Sequence, residues 1–454
     1  MSEEVDEEPL RMTRGGDTAA TGAERFAGVP GRWFRRTALP LLLILVCPPT
    51  VILLWMITVH FNGSLTLFFR TADLDTILAL VPRPTWRAAG VLLFWAVLQA
   101  VLLIVLPGKT HYGPVTPKGN RPRYKLNGIP AYIVTHGLLY LGAYPLGLFS
   151  PTIVYDEFGS ILVICNVFGL IFCVFLYLKG VYFPSTTDAG RSGNLIFDYY
   201  WGVELHPSLF GLSLKQYINC RLAMMGWSVI LLSFAAKQVE LYGHLSSSML
   251  VSVGLQLVYI VHFFVWEGGY FGSLDIMHDR FGFYICWGIT VWLPCVYTLV
   301  GLYLVDHPIA LPIPYAVFLA GVGLAAIWAD GDANRQRQRV RETGGDTTVW
   351  RRKPELIEAE YTTEDGETRK SLLLVSGWWG ISRHFHYVAE ITAALAWTLP
   401  AMFENLLPYF YVIFLTILLV HRAGRDDRRC RKKYGRYWKQ YCERVPYRII
   451  PYVY

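Results

Sequence analysis

The chain has 454 residues, of which 54% are hydrophobic and 17% charged, with a mean hydropathy of +0.35. That balance excludes a string of soluble domains and most intrinsic disorder, and it points to repeated membrane crossing. Aromatic residues make up 15%, including 15 Trp and 28 Tyr, as suits a chain that meets the membrane interface many times. The formal charge of +7 must be placed along the chain before it can be interpreted.

In chain order, residues 1–36 start acidic and lack the basic segment and apolar core of a cleavable signal. With Gly15, Gly16, Gly22 and Gly28 among polar neighbours, they read as a flexible cytosolic tail. Apolar stretches close to the length that crosses about 30 Å of hydrocarbon follow near 38–59, 87–106, 130–150, 160–178, 222–236, 249–265, 281–300, 309–328, 388–402 and 406–420. The expected fold is therefore an all-α polytopic membrane protein of about ten transmembrane helices. Residues 37–265 form its N-terminal helices and 266–454 its C-terminal ones. Arg32, Arg35 and Arg36 precede the first span, Lys109 to Lys125 follow the second, Lys179 and Arg191 the fourth, and Arg335 to Lys353 the eighth. All fall on one side, which places both termini in the cytosol by the positive-inside bias.

The eight cysteines contain no C-x-x-C pair and lie mostly in apolar runs, so neither a disulfide framework nor a zinc site is expected. Gly321-Val-Gly323-Leu-Ala-Ala326 has the spacing of a dinucleotide fingerprint, but it lies inside an apolar span with no preceding strand. Close helix packing explains it better, and no Rossmann domain is expected. Asn62-Gly-Ser64 is a sequon set very close to the first span.

Residues 266–280, WEGGYFGSLDIMHDR, gather Glu267, Tyr270, Asp275, His278 and Asp279 at the membrane edge, where charge is costly and usually functional. On one helix Asp275 and Asp279 would share a face. His384, His386 and Glu390 invite a metal reading, yet only His386 and Glu390 share a helical face, so a polar cavity lining is preferred and no metal is expected. Residues 421–454 carry 11 Lys or Arg against Asp426, Asp427 and Glu443. Such a tail serves either as an anchor on anionic lipid or as a site for a phosphorylated ligand.

Within that tail, His421, Arg422, Arg425, Asp426, Cys430, Lys433, Tyr434 and Gly435 complete the pattern H-R-x-x-R-D-x-x-x-C-x-x-K-Y-G, which resembles the C-terminal signature of the sterol reductase family. GVELHPSL, SFAAKQVEL, LDIMHDRFGFYICWG and LLLVSGWWGISRHFHYV extend the resemblance, most closely to the plant-like members that act at C7. It implies NADPH-dependent reduction of the C7–C8 double bond of a 5,7-diene sterol, in a multi-pass endoplasmic-reticulum protein, or an inner-membrane protein in a bacterium. Reduction at C14 and a non-catalytic sterol-binding scaffold are the alternatives.

The resemblance also implies a cofactor pocket of Arg337, Arg341, Leu374, Trp379, His386, Tyr387, Asp426, Cys430, Arg431, Lys432, Lys433, Tyr434 and Tyr441. A sterol C7–C8 alkene has no carbonyl to accept electrons, so it must accept a proton before or as hydride arrives. His278, Asp279 and Tyr270 are the expected donor network, with Glu267, Tyr284 and Trp287 lining the substrate cavity. Partners are the sterol, the bilayer and, as candidates, other sterol-biosynthesis enzymes; nucleic acid is not expected.

Overall fold

The structure, a computed structural model, describes residues 31, 33–116, 118–362 and 368–454. The proposed tail therefore lies largely outside the described residues, and helix is already present at Phe34–Ala38, leading into the first span.

The long helices are α1 (Leu39–His60), α2 (Trp86–Val105), α3 (Gly128–Ala143), α4 (Phe158–Tyr182), α5 (Gln216–Tyr242), α6 (Ser247–Val265), α7 (Phe283–Asp306), α8 (Ile313–Glu342), α9 (Phe385–Thr398) and α10 (Phe410–Tyr434), followed by the shorter α11 (Arg436–Arg444). Polar caps set several starts: Thr85 accepts from Ala88 N, and Ser246 from Met249 N. Among the described residues, eight helices are long and apolar enough to cross a membrane. The expected third and ninth spans are shorter helices. The 16 residues of α3 reach only about 24 Å before Pro145 breaks the run, and the 14 of α9 end at a 3₁₀ turn containing Pro400.

Burial sorts the helices into layers. In α5 and α7, 78% and 67% of the apolar window is buried, against 22% in α2 and α8, so α5 and α7 are central and the others face lipid. Trp227, Leu231, Phe234, Leu299 and Val300 fill the centre. Both central helices begin with a π-helical segment, Gln216–Met224 and Phe283–Trp292, a widened turn often found at functional sites. The Gly321–Ala326 motif lies within α8, and a Cβ at Gly323 would stand 2.6 Å from Leu255 on α6. Its glycine thus serves helix packing, as the sequence suggests.

Strands are few. β1 (Lys109–Tyr112) pairs with β2 (Arg123–Leu126), β3 (Ser208–Leu209) with β4 (Leu212–Ser213), and β5 (Leu356–Thr362) with β6 (Thr368–Leu374), all antiparallel. No dinucleotide-binding βαβ unit is present among the described residues. All eight cysteines are free.

Two basic stretches read as connections are helical instead. α8 runs 30 residues, carrying Arg335 to Arg341 as a continuation of the span, and α10 carries the signature through Tyr434. The β5–β6 hairpin packs Ile357, Ala359 and Leu373 against Cys430, Tyr434, Trp438 and Tyr441 of α10 and α11. Asp427 fastens this assembly. It accepts from Trp438 Nε1 (3.1 Å), Arg431 (3.3 Å) and Arg448 (3.4 Å), with Arg383 at 4.0 Å. Backbone bonds from Arg383 to Tyr447 and from His384 to Arg448 complete the attachment.

Asp427→Ala leaves these donors without a counter-charge and should cost roughly 3 kcal/mol. It should appear as a lowered Tm in detergent and faster proteolysis beyond residue 434. Glu360→Ala removes only an exposed pair with Lys370 (3.5 Å) and should change stability by less than about 0.5 kcal/mol.

Candidate functional site

Two carboxylates of the 266–282 connection meet two arginines of α10. Asp275 accepts from Arg422 at 2.8 Å, and Asp279 receives both guanidinium nitrogens of Arg425. Arg422 and Arg425, three apart, share a helical face. The helix expected to carry both aspartates is a single turn, Leu274–Met277, ending at His278. The two carboxylates thus reach α10 from a turn and from the chain after it. Asp279 is 1% exposed. Burial pushes its carboxyl above the usual range, and the Arg425 guanidinium opposes that shift.

Arg425 also lies 5.2 Å from the Trp201 ring, which stacks on Tyr284 at 5.6 Å. Gly202 makes this approach feasible. It adopts φ +96°, and a Cβ there would sit 2.5 Å from the Gly282 nitrogen.

The expected donor residues separate in space. Tyr270 accepts from Asn219 (3.1 Å) and packs edge-on against Phe263, in a cluster with Tyr124, Phe271 and Met277. His278 is exposed, whereas Asp279 is buried on Arg425. No hydrogen bond links the three among the described residues. Of the expected cavity residues, Tyr284 stands by Trp201. Trp287 stacks on Phe283 (4.7 Å) and donates to Asn166 (2.9 Å). Glu267 is held by Arg221 (2.6 Å) and the Gly128 backbone (3.0 Å), with Arg221 also on Asn127 (2.8 Å).

Beside the Asp–Arg pairs, the residues assigned to the cofactor form a chain of contacts. Arg337 lies 4.4 Å over the Trp379 ring, a cation–π stack. Trp379 donates to Ala333 O (2.7 Å), accepts from Tyr441 on its carbonyl (3.3 Å), and faces His386 at 5.1 Å. His386 meets Tyr387 at 4.2 Å, and Tyr387 stacks on His384 at 5.0 Å. His384 Nε2 approaches Asp426 at 3.8 Å. Burial pushes the His384 imidazole down to about 4, so it is neutral at pH 7 and this contact is no ion pair. Asp426 also receives Cys430 Sγ at 3.8 Å and Arg429 at 2.7 Å. Leu374 packs with Val340, Val349 and Trp379, and Arg341 is exposed one turn beyond Arg337.

The run 430–434 is divided by helical phase. Cys430 and Tyr434 are buried together, Arg431 turns to Asp427, Lys433 sits 4.0 Å over Tyr361, and Lys432 is exposed. His386 Nδ1 and Arg422 Nε are buried polar atoms with no hydrogen-bond partner among the described residues. With the stacked Arg337, the exposed Arg341 and the aromatic rings, they provide what a phosphorylated dinucleotide requires: cations, flat faces and open hydrogen-bond positions. No group of three or more His, Cys, Asp or Glu able to hold a metal occurs among the described residues.

Sequence reasoning passed over Arg422 and Arg425 as individual residues, and also Trp201 and Lys215. The signal for the arginines was present, as two cations three apart on a helix facing two aspartates elsewhere. Trp201 and Lys215 carry no local pattern.

Comparison with known proteins identifies the family. Residues 34–454 match the Ergosterol biosynthesis ERG4/ERG24 family. The chain is 51% identical over 416 residues to the 7-dehydrocholesterol reductase of Arabidopsis thaliana, covering 91% of this chain and 96% of the relative. It is 37% identical over 461 residues to that of Xenopus laevis, covering 97% and 98%. It is also 37% identical over 414 residues to the Delta(14)-sterol reductase of Methylotuvimicrobium alcaliphilum, covering 91% and 94%. The membrane-embedded helices, the signature helix α10 and these matches along the chain place the protein in the ERG4/ERG24 family, the sterol reductase family that its sequence resembles.

Proposed function

We propose that the protein reduces the C7–C8 double bond of 5,7-diene sterols with NADPH. The observation that carries this reading is the unbroken line of contacts from Arg337 through Trp379, His386, Tyr387, His384 and Asp426, set beside the partly buried Asp275–Arg422 and Asp279–Arg425 pairs. The 51% identity to a 7-dehydrocholesterol reductase favours C7. The bacterial relative at 37% supports C14 as the second reading.

When bound, NADPH would supply the hydride. Arg337 and Arg341 would hold its phosphates, Trp379 and Tyr387 its rings, and His386, Asp426 and Tyr441 its polar edges, with the basic face of Arg431, Lys432 and Lys433 adding to the local field. Leu374, Cys430 and Tyr434 support these residues from behind. The apolar helices around the site exclude water, which would otherwise trap a cationic sterol. Tyr284 and Trp201 offer π faces to developing positive charge. Asp279 is the proposed proton-handling group, because burial favours its protonated form while Arg425 fixes its orientation; His278 and Tyr270, which do not hydrogen-bond to it, would act only through the shape of the loop. The proposed setting is the endoplasmic-reticulum membrane with both termini cytosolic, which puts the basic ends of α8 and α10 where the cofactor is available.

Membranes containing the protein, given NADPH and either a 5,7-diene or an 8,14-diene sterol, should yield the C7-reduced product by mass spectrometry. Turnover of the 8,14-diene alone would establish the second reading, and turnover of neither would leave a scaffold. Arg341→Ala or Asp426→Ala should raise the NADPH KM about tenfold or more, as loss of a charged hydrogen bond implies, with the sterol KM changed far less. Asp279→Asn should lower kcat by about a hundredfold or more, the scale of a lost acid–base group, with NADPH affinity retained. A near-normal rate would remove Asp279 from the mechanism.

A further inference from the structure

We infer that Lys215 is a positioning residue for the proposed reaction: its buried ammonium grips the backbone of the loop that presents Asp275 and Asp279 to Arg422 and Arg425. Lys215 is 0% exposed. Its Nζ donates to Asp275 O (2.9 Å), Ile276 O (2.7 Å) and Asp279 O (2.6 Å), which uses all three of its protons.

The geometry joins two ends of one residue. Asp279 gives its carbonyl to Lys215 and its carboxylate to Arg425, and Asp275 gives its carbonyl to Lys215 and its carboxylate to Arg422. The single turn Leu274–Met277 is too short to satisfy its own terminal carbonyls, and a cation at that end is electrostatically favoured. His278 N and Asp279 N both fold back onto Leu274 O, so the chain here is tight only while those carbonyls are held. Lys215 is itself fixed from the other side. The adjacent Gln216 donates to Lys125 O (2.7 Å) and accepts from Lys125 N (3.3 Å), tying the base of α5 to β2. A rigid path thus runs from β2 through Lys215 and the loop to α10, whereas an ordinary surface lysine would have no reason to be buried here.

Burial lowers the Lys215 pKa to about 7, opposed by Asp279 and Asp275. The groups that face it are these two aspartates, His206 from the segment before β3, whose imidazole burial lowers to about 3, and His278 on the loop. The ammonium and its third bond are therefore complete below that pH and lost above it; the remaining amine keeps two donors and turns a lone pair toward a carbonyl. This inference rests on the proposed reaction, and two measurements separate it from that reading.

In wild-type protein, hydrogen exchange at residues 274–280, corrected for intrinsic rate, needs no turnover. Protection should be about tenfold higher than in Lys215→Gln, and in wild type it should fall between about pH 6 and about pH 8.5 as the ammonium deprotonates; equal protection in the two proteins would overturn the grip. In the kinetic test, Lys215→Met should lower sterol kcat by about tenfold or more with NADPH affinity within about twofold, and by less than about threefold on an Asp279→Asn background. Lys215→Gln, which retains two donors, should fall between wild type and Met. A rate within about twofold of wild type, or the same loss on both backgrounds, would show that Lys215 does not act through Asp279. If Lys215→Met fails to fold, the wild-type exchange profile and Lys215→Gln decide. If wild type reduces neither sterol, the reading of the reaction fails while the exchange profile still judges the grip.

Discussion

A guanidinium taken out of water must find a carboxylate, because leaving it unpaired in a low-dielectric interior costs several kcal/mol. α10 carries Arg422 and Arg425 into a partly buried setting, and among the described residues Asp275 and Asp279 are the carboxylates that pair with them. That requirement draws the loop joining α6 to the central α7 onto the signature helix α10. Trp201, Gly202 and Tyr284 are gathered around the Asp279–Arg425 pair as a consequence. The pairs are a poor source of net stability, since apolar replacements of similar volume would pack as well. Their value is register: they settle which face of α10 meets the loop, and hence which face carries Asp426 and Cys430 toward His384.

The two halves of the candidate site follow different physics. On the cofactor side, the side chains form a layered stack in which Arg337, Trp379, His386, Tyr387 and His384 each touch the next ring or cation. A neutral His384 suits this stack, because a second buried cation beside Arg337 would raise the cost of desolvation. On the proposed sterol side, the charged groups are paired, Asp275 with Arg422 and Asp279 with Arg425, and Trp201 and Tyr284 stack beside them. In the proposed reaction such a boundary would let a charged nucleotide and an apolar substrate share one site.

Much of this was legible in the sequence for identifiable reasons. Apolar runs such as 38–59 and 160–178 are long and uninterrupted, so α1 and α4 emerge close to expectation. The third span was overestimated because hydropathy does not register Pro145, whereas the ninth, already short in the sequence, ends at the turn containing Pro400. The basic ends of α8 and α10 were read as connections because charge was taken to end a helix. Their arginines and lysines are good helix formers, and the helices run on past the apolar boundary. The signature residues proposed for the cofactor entered through the family pattern. Lys215, Arg221 and the partition of 430–434 depend on tertiary contacts spanning many residues, as in Lys215 to Asp279 and Arg221 to Glu267, which no local spacing encodes.

The central claim is that a nicotinamide hydride and a protein-derived proton meet at C7 and C8 of the sterol within this site. The most direct test is a single turnover with NADPH deuterated at the transferring position, run in ordinary water with a 5,7-diene sterol and analysed by NMR of the product. The account predicts one deuterium on a carbon of the former C7–C8 double bond, with the neighbouring carbon labelled only when the solvent is deuterated instead. A product carrying no cofactor deuterium, or carrying it at C14 or C15 when given an 8,14-diene alone, would contradict it.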